Sequence, residues 1–260
     1  MESGNMILDD ERIDAVNEKI TLIQKKAGLT FGTDAFLLAS YIKKTPRLRG
    51  AELGTGTGII SLLLAAREKL SKIYAFEVQE SFYDLTMRNV SQNGFDGIII
   101  PLHKDIRDVT SNDTDGELDA VFANPPYMKT TSGKRNEADE KYIARHEVKG
   151  DIGDFCAAAT RLLKYGGSFY AVWRPDRLCD IISAMRAHSL EPKDMTFVHA
   201  DSETEPSMVL IRAVKGGKAD LKLSAPLMLH DSPPDENGKR ALGKAASRIY
   251  DTLEFDYIKR

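Results

Sequence analysis

Asn124, Pro125, Pro126 and Tyr127 carry the clearest chemical content in this chain. The Asn124 side-chain oxygen and the Pro125 carbonyl are two hydrogen-bond acceptors close together. An exocyclic amino group has two N–H donors. Held by both acceptors, such a group can rotate and pyramidalise, and its lone pair leaves conjugation with the ring. A poor nucleophile then becomes usable through oriented hydrogen bonds rather than a strong base. Tyr127 offers a face on which a planar group can stack. The competing reading is a turn that only ends a strand, since asparagine and proline are ordinary turn residues.

The elements around this turn must deliver it to a ligand. The apolar run Leu118 to Ala123 reads as a buried strand, and two prolines end it because neither can donate a ladder hydrogen bond. The second proline biases Pro125 to an extended conformation, which fixes the direction of its carbonyl. In an open α/β sheet such a strand end is where ligands bind. Gly50 to Gly58, followed by the apolar helix Ile59 to Ala66, reads as strand, glycine-rich turn and helix. That is the opening of a nucleotide-binding βαβ unit. Gly54, Gly56 and Gly58 would let the backbone approach a ligand closely. Glu52, two residues before the first of these glycines, departs from the dinucleotide fingerprint. A pyrophosphate wants the helix N-terminus clear and positive, whereas an acid there suits a cationic or amino-acid ligand.

Three further acids are candidates. Glu77 ends the strand Ile73 to Glu77, about 20 residues past the glycines, where such folds place the carboxylate that holds ribose hydroxyls. The alternative is a solvated strand-end acid. Asp105 follows a third strand, Gly97 to Leu102. It is placed to accept from an adenine amino group or to serve as a loop acid. Thr33 and Asp34, after Phe31 and Gly32, either cap the helix Ala35 to Lys43 or contribute to a ligand site.

The rest of the chain frames these positions. An acidic, partly helical opening at Asp9 to Ile13 precedes a short strand, Ile20 to Gln24. A helix is expected over Ser81 to Asn93. Residues 128–149 form a long polar stretch with Lys129, Lys134, Arg135, Lys141, Arg145, His146 and Lys149, either a substrate-ordered loop or a solvated one. A helix over Asp154 to Lys164 is stopped by Tyr165-Gly166-Gly167. Ser168 to Trp173 follows as a strand, with Trp173 packing rather than stacking on a ligand. A helix runs from Arg174-Pro175 through His188. Met195 to His199 and Ser207 to Val214 read as a hairpin-like pair at one sheet edge. After Lys215 little pattern is visible until Lys239 to Leu253. There Arg240, Lys244, Arg248, Lys259 and Arg260 make a basic end, either a charged helix face or an RNA contact.

Composition narrows the function classes. At 260 residues with 42% hydrophobic content the chain can build one large domain with appendages. Cys156 and Cys179 suggest no disulfide framework and no metal set, which points to a reducing cytoplasm. The histidines share no metal spacing, no apolar run suits a membrane span, and the opening residues are unlike a signal peptide. A net charge of −3 argues against bulk, non-specific nucleic-acid binding and leaves room for a local basic face.

Taken in order, Glu52-x-Gly54-x-Gly56-x-Gly58, Glu77, Asp105 and Asn124-Pro125-Pro126-Tyr127 resemble the class I S-adenosylmethionine-dependent methyltransferases that act on planar amino nitrogens. Ile23-Gln24, Phe31-Gly32-Thr33-Asp34-Ala35, Ala144 to Glu147 and Arg174 to Leu178 are similar to the bacterial tRNA adenine-N6 methyltransferases that modify the purine beside the anticodon of valine tRNA. The likeness covers roughly residues 10 to 215. It implies a Rossmann-like α/β fold: a mostly parallel seven-stranded sheet with an antiparallel edge strand and helices on both faces. It also implies a methyltransferase domain over 1–215, comprising a cofactor-closing segment at 1–45 and a core at 46–215. Residues 216–260 are left as a C-terminal tail.

The resemblance also implies roles. S-adenosylmethionine would lie over Glu52, Gly54, Gly56 and Gly58. Glu77 would hold its ribose, and Asp105 its adenine. Phe31, Thr33 and Asp34 would close the methionine side. A flipped adenine of tRNA would stack on Tyr127, with Asn124, Pro125 and Pro126 forming the catalytic turn. No metal is implied, and a monomer is favoured. The rivals are a protein glutamine-amide methyltransferase, a guanine-N2 methyltransferase, a nicotinamide dehydrogenase and a non-catalytic cofactor-binding module. The first normally carries a sizeable helical domain before the glycine loop, where this chain has about fifty residues. The dehydrogenase lacks support in the glycine spacing.

Overall fold

Alternation along the strands divides the molecule into two cores. In a strand, successive side chains point to opposite faces. Ile73 and Ala75 join one buried cluster while Tyr74 and Phe76 join another. Ala120 and Phe122 separate from Val121 and Ala123 in the same way. A sheet buried on both faces must be covered by helices on both, and this one is. The computed structural model describes residues 7–26, 32–125, 150–233, 236 and 240–255.

The strands are β1 (Glu11–Ala15), β2 (Thr21–Lys25), β3 (Arg49–Leu53), β4 (Lys72–Glu77), β5 (Ile99–His103), β6 (Leu118–Ala123), β7 (Leu163–Trp173), β8 (Leu190–His199), β9 (Pro206–Lys215), β10 (Lys222–Leu223) and β11 (Leu227–Met228). The helices are α1 (Thr33–Tyr41), α2 (Ile59–Ala66), α3 (Glu80–Gln92), α4 (Ile152–Leu162), α5 (Leu178–Ala187) and α6 (Lys244–Thr252). The sheet order is β10-β8-β9-β7-β6-β3-β4-β5, with β11 also pairing β8. The pairs among β3 to β7 are parallel, and β9 runs antiparallel between β7 and β8. The chain reverses around β3, so the neighbouring strand ends open a crevice there. Helices α1, α2 and α6 pack on one face, and α4 and α5 on the other.

Seven strands make the mixed α/β sheet expected from the sequence. Two short tail strands extend it to nine. The antiparallel strand lies one place in from β8. The tail is therefore part of the sheet edge and, through α6, part of the helical layer over α1. The opening residues differ from the helical expectation: Glu11 to Ala15 form a strand paired with β2. A buried ion pair fixes that hairpin. Arg88 of α3 donates to both oxygens of Glu11, at 2.8 and 2.6 Å. The Arg88 guanidinium holds the Glu11 carboxyl down at about 2.

The glycine pair after α4 also differs from the expectation of a helix stop. Leu163 begins β7 directly, and the register with β6 jumps from Leu118–Leu163 to Ala120–Ser168. Residues 164–167 thus bulge from the ladder. At the far end of α1, Lys69 fills a position no local motif signals. It is buried and donates to the carbonyls of Ala39, Ser40 and Ile42 at 2.8, 2.9 and 2.7 Å. Those are the carbonyls a helix C-terminus leaves without intrahelical partners.

Candidate active site

Register brings the candidate residues to one line. Leu53 pairs across to Phe76 on one side and to Ala123 on the other. Phe76 pairs with Leu102, and Ala123 with Ala171. Gly54, Glu77 and Asn124 are the next residues of their strands. They emerge side by side at the carboxyl edge of the sheet, spaced by the usual strand separation of about 4.8 Å.

The glycine turn is built by its backbone. Gly54, Gly56 and Gly58 have φ of +71°, +60° and +83°. All three lie in the left-handed region that other L-residues enter only at a cost. Gly54 and Thr55 both donate their N–H to the Phe76 carbonyl at 2.9 Å, which folds the turn over the end of β4. A Cβ placed on Gly58 would sit 3.1 Å from the Thr86 methyl, while one on Gly56 would meet nothing within 4 Å. The turn is therefore packed below and open above.

Glu77 stands inside this turn rather than in solvent. It is 4% exposed. Its Oε2 accepts from Gly56 N–H at 2.9 Å, and its Oε1 from Gln79 N–H at 2.9 Å. Each carboxylate oxygen can accept more than one donor, so this orientation still leaves acceptor capacity for hydroxyls. Glu52 is buried beneath the turn, where its Oε2 accepts from the hydroxyls of Thr55 and Ser61 and from Ser61 N–H. Burial pushes its carboxyl up to about 7, against the pull of these hydrogen bonds. Glu52 acts on the turn itself, joining it to the first turn of α2.

The end of β6 meets α1. Asn124 donates its side-chain N–H to Asp34 Oδ2 at 2.8 Å. A carboxylate only accepts, so this bond assigns the Asn124 amide: nitrogen toward α1, oxygen as the acceptor end. The other Asp34 oxygen accepts from Ala35 N–H at 2.9 Å at the start of α1. An acid there is favoured by the helix dipole. Asp34 therefore serves both the helix end and the site. Gly32 occupies the N-cap position, with no side-chain cap bond. Pro125 is buried behind Asn124.

Thr33 and Asp34 also line an open cleft of about 790 Å³, together with Trp173 to Asp176 and Glu205 to Met208. Trp173 packs, with its indole N–H donating to the Arg177 carbonyl at 2.9 Å. The cleft mixes apolar walls with a few charged groups, the make-up of a small-molecule site.

Asp105 follows β5, two residues past His103, the cross-strand partner of Glu77. It caps the turn Ile106–Asp108 and holds Arg107 through both oxygens. Arg107 draws its carboxyl below the usual value. Phe31, Pro126, Tyr127 and the stretch 128–149 lie outside the described residues. At the basic end, the Arg240 guanidinium pairs with Asp201. Among the described residues no group of three His, Cys, Asp or Glu gathers as a metal site, and no helix is long and apolar enough to cross a membrane.

Two residues that sequence reasoning missed complete the scaffold. Asn89 of α3 donates to the carbonyls of Ile23 and Thr57, both at 2.9 Å, and accepts from Ile23 N–H at 2.7 Å. Thr86 donates to the Gly56 carbonyl at 2.7 Å. Their signal was available: Leu85, Thr86, Asn89 and Val90 share the buried face of α3. Polar residues on such a stripe need partners.

A family profile described as "Methyltransferase small domain" matches residues 26–186, more than half of the chain. A tRNA1(Val) (adenine(37)-N6)-methyltransferase from Phocaeicola vulgatus is 25% identical over 194 residues, which cover 75% of this chain and 80% of that protein. A protein of the same name from Dyadobacter fermentans is 29% identical over 160 residues, covering 61% and 64%. Among solved structures, a predicted O-methyltransferase from Agrobacterium tumefaciens superposes with a TM-score of 0.66 at 23% identity, covering 85% of this chain and 97% of its own. Methanocaldococcus jannaschii TYW2 in complex with AdoMet has a TM-score of 0.52 at 14% identity, covering 80% and 86%. At these identities both structures speak to the fold alone.

Proposed function

We propose, because the chain belongs to the methyltransferase small domain family, that it methylates tRNA, using S-adenosylmethionine to modify the exocyclic N6 amino group of adenine. The relatives named for adenine 37 of valine tRNA make that nucleotide the first to test. The observation that carries the reading is the Asn124 amide, held by Asp34 at the strand end beside the glycine turn. That placement suits an amino nitrogen as the methyl acceptor.

The residues present fit the cofactor. The turn at Gly54, Gly56 and Gly58 is open above, and the buried Glu77 carboxylate faces into it. Glu77 would hold the ribose hydroxyls, in charge-assisted bonds of about 1.5–3 kcal/mol each. Glu52 supports the turn from below. Asp105 would meet the adenine ring, and Phe31, Thr33 and Asp34 would close the methionine side. When bound, S-adenosylmethionine supplies an electrophilic methyl group on positively charged sulfur.

The protein's share is alignment and exclusion of water. Asn124 Oδ1 and the Pro125 carbonyl would each accept one N–H of the target amino group. This grip would turn the nitrogen lone pair out of the ring plane and toward the methyl group. Tyr127 would stack on the flipped base, worth about 1–3 kcal/mol. Asp34 would keep the Asn124 oxygen, rather than its N–H, directed at the substrate.

Incubation with labelled S-adenosylmethionine and total tRNA, beside ribosomal RNA and a peptide-chain release factor, tests the reading. Nucleoside analysis should return N6-methyladenosine from tRNA. Label in guanosine or in protein, with none in adenosine, would overturn it.

A further inference from the structure

The C-terminal helix α6 lies beyond residue 186, where the family match ends, yet it packs against the start of α1. Its placement is fixed at both ends. Asp231 accepts from Lys244 N–H at the first residue of α6, and Arg67 donates to the Asp251 carbonyl at the last turn. Ile249 and Leu253 are buried in the cluster that holds α1, and Ala246 is buried as well. Phe255 then meets Tyr41 edge to face at 5.0 Å.

Tyr250 is the residue of this helix that approaches the site. Its ring stacks on Phe36 with centroids 4.6 Å apart and planes 21° from parallel. Burial raises the pKa of its hydroxyl, the nearby Asp34 charge raises it further, and the neighbouring Thr33 side chain pulls the other way. Thr33, Asp34 and Phe36 are all in the first turn of α1, and Asp34 grips Asn124. A contiguous path of contacts thus runs from Tyr250 through that turn to the amide at the end of β6.

We propose that Tyr250 is a positioning residue for methyl transfer, holding the first turn of α1 so that Asp34 aims the Asn124 amide. The inference rests on the role given to Asn124 above. The tail accordingly braces, from behind, the helix turn that faces the active site. Small misplacements of groups at a reacting centre are costly, up to about 10²-fold for about 1 Å. The effect therefore belongs in kcat rather than in substrate affinity.

The test compares Tyr250→Ala, Tyr250→Phe and the control Ile249→Val in the full chain, well below their melting temperatures. Steady-state kinetics with tRNA give kcat and KM, and calorimetry gives cofactor Kd. The side-chain amide resonances of Asn124, assigned through Asn124→Asp, report its hydrogen bonding directly. Tyr250→Ala should lower kcat by on the order of tenfold or more. KM should stay close to the parent value, cofactor Kd should weaken by a smaller factor than kcat falls because Thr33 and Asp34 would also face the methionine side, and the Asn124 amide signals should shift. Tyr250→Phe keeps the stack, removes the hydroxyl beside Thr33 and Asp34, and should fall between. Ile249→Val should lower stability without changing kcat. Should Tyr250→Ala fail to fold, Tyr250→Phe carries the same comparison. Unmoved Asn124 resonances, or loss of stability with kcat unchanged, would overturn the proposal. The resonance measurement needs no RNA, so it separates this inference from the proposed reaction. A parent protein inactive on every adenine-containing RNA would sink the reaction alone.

Discussion

Asn124 and Asp34 are 90 residues apart in the chain and share a hydrogen bond of 2.8 Å, amide nitrogen to carboxylate. This bond decides which end of the amide serves as donor to the protein and which as acceptor. In Asp34→Asn the partner could donate as well as accept, so the Asn124 amide would lose its fixed orientation. We expect kcat to fall by on the order of 10²-fold, comparable with removing one oriented group from a reacting centre. Asn124→Ala should abolish transfer with cofactor affinity nearly unchanged. Both are read by single-turnover kinetics with calorimetry alongside, and an active Asn124→Ala would remove the residue from the mechanism.

Glu77 offers a test of cofactor binding that does not depend on the RNA. Glu77→Gln keeps the shape but removes the charge that strengthens bonds to hydroxyls. A loss of about 1.5–3 kcal/mol corresponds to roughly 10- to 100-fold in Kd. Because Oε2 also accepts from Gly56 N–H, Glu77→Ala should weaken binding further and loosen the turn. Titration calorimetry with S-adenosylmethionine decides the matter; unchanged affinity in both variants takes Glu77 out of the site.

Glu52 should leave a signature in the pH dependence of stability. Its carboxyl has an ordinary value of 4.5 and is pushed up to about 7 by burial. The folded protein therefore holds this proton more tightly than the unfolded chain does. The associated stability is fully present below about 4.5 and is lost as pH rises toward about 7. Glu52→Gln should flatten the Tm profile across that window relative to the parent. An identical slope in both proteins would show that the group ionises normally.

Glu11 makes the opposite prediction. The Arg88 guanidinium lowers its carboxyl from 4.5 to about 2, so the pair stabilises the fold above about 4.5. That contribution fades as pH falls toward about 2. Glu11→Gln should therefore lower Tm at neutral pH and show a shallower acid limb. Arg88→Met should do at least as much harm, since it leaves Glu11 buried without its main cation. Thermal melts from pH 2 to 7 provide the comparison.

Much of the core was readable from local pattern. The strands from Arg49 to Glu77, the glycine turn and the helix after it carry apolar spacing that tertiary packing then uses unchanged. The opening hairpin was not readable. Asp9 and Asp10 form a turn, and Glu11-Arg12, of weak strand propensity, becomes extended because β2 pairs with it and Arg88 neutralises Glu11. The tail hid for another reason: two-residue strands such as β10 and β11 show no periodicity, and their partner is a distant edge. At the site, the positions of Glu77, Gly54 and Asn124 followed from strand ends. The Asp34–Asn124 bond did not, because it depends on where α1 lands over the sheet. The bonds by which Glu52 braces Thr55 and Ser61 were not readable either, because they are set by the fold of the turn rather than by residue type.

Lys69 sits just past the end of α2 and spends its three donors on the last carbonyls of α1. The two helices whose opposite ends reach the site, through Asp34 and through Gly58, are thus riveted together at their rear. Pivoting either helix would pull the buried Lys69 amino group from the three carbonyl oxygens it bonds. Induced fit would therefore travel through other segments, with the pair serving as a fixed jig for whatever the site binds.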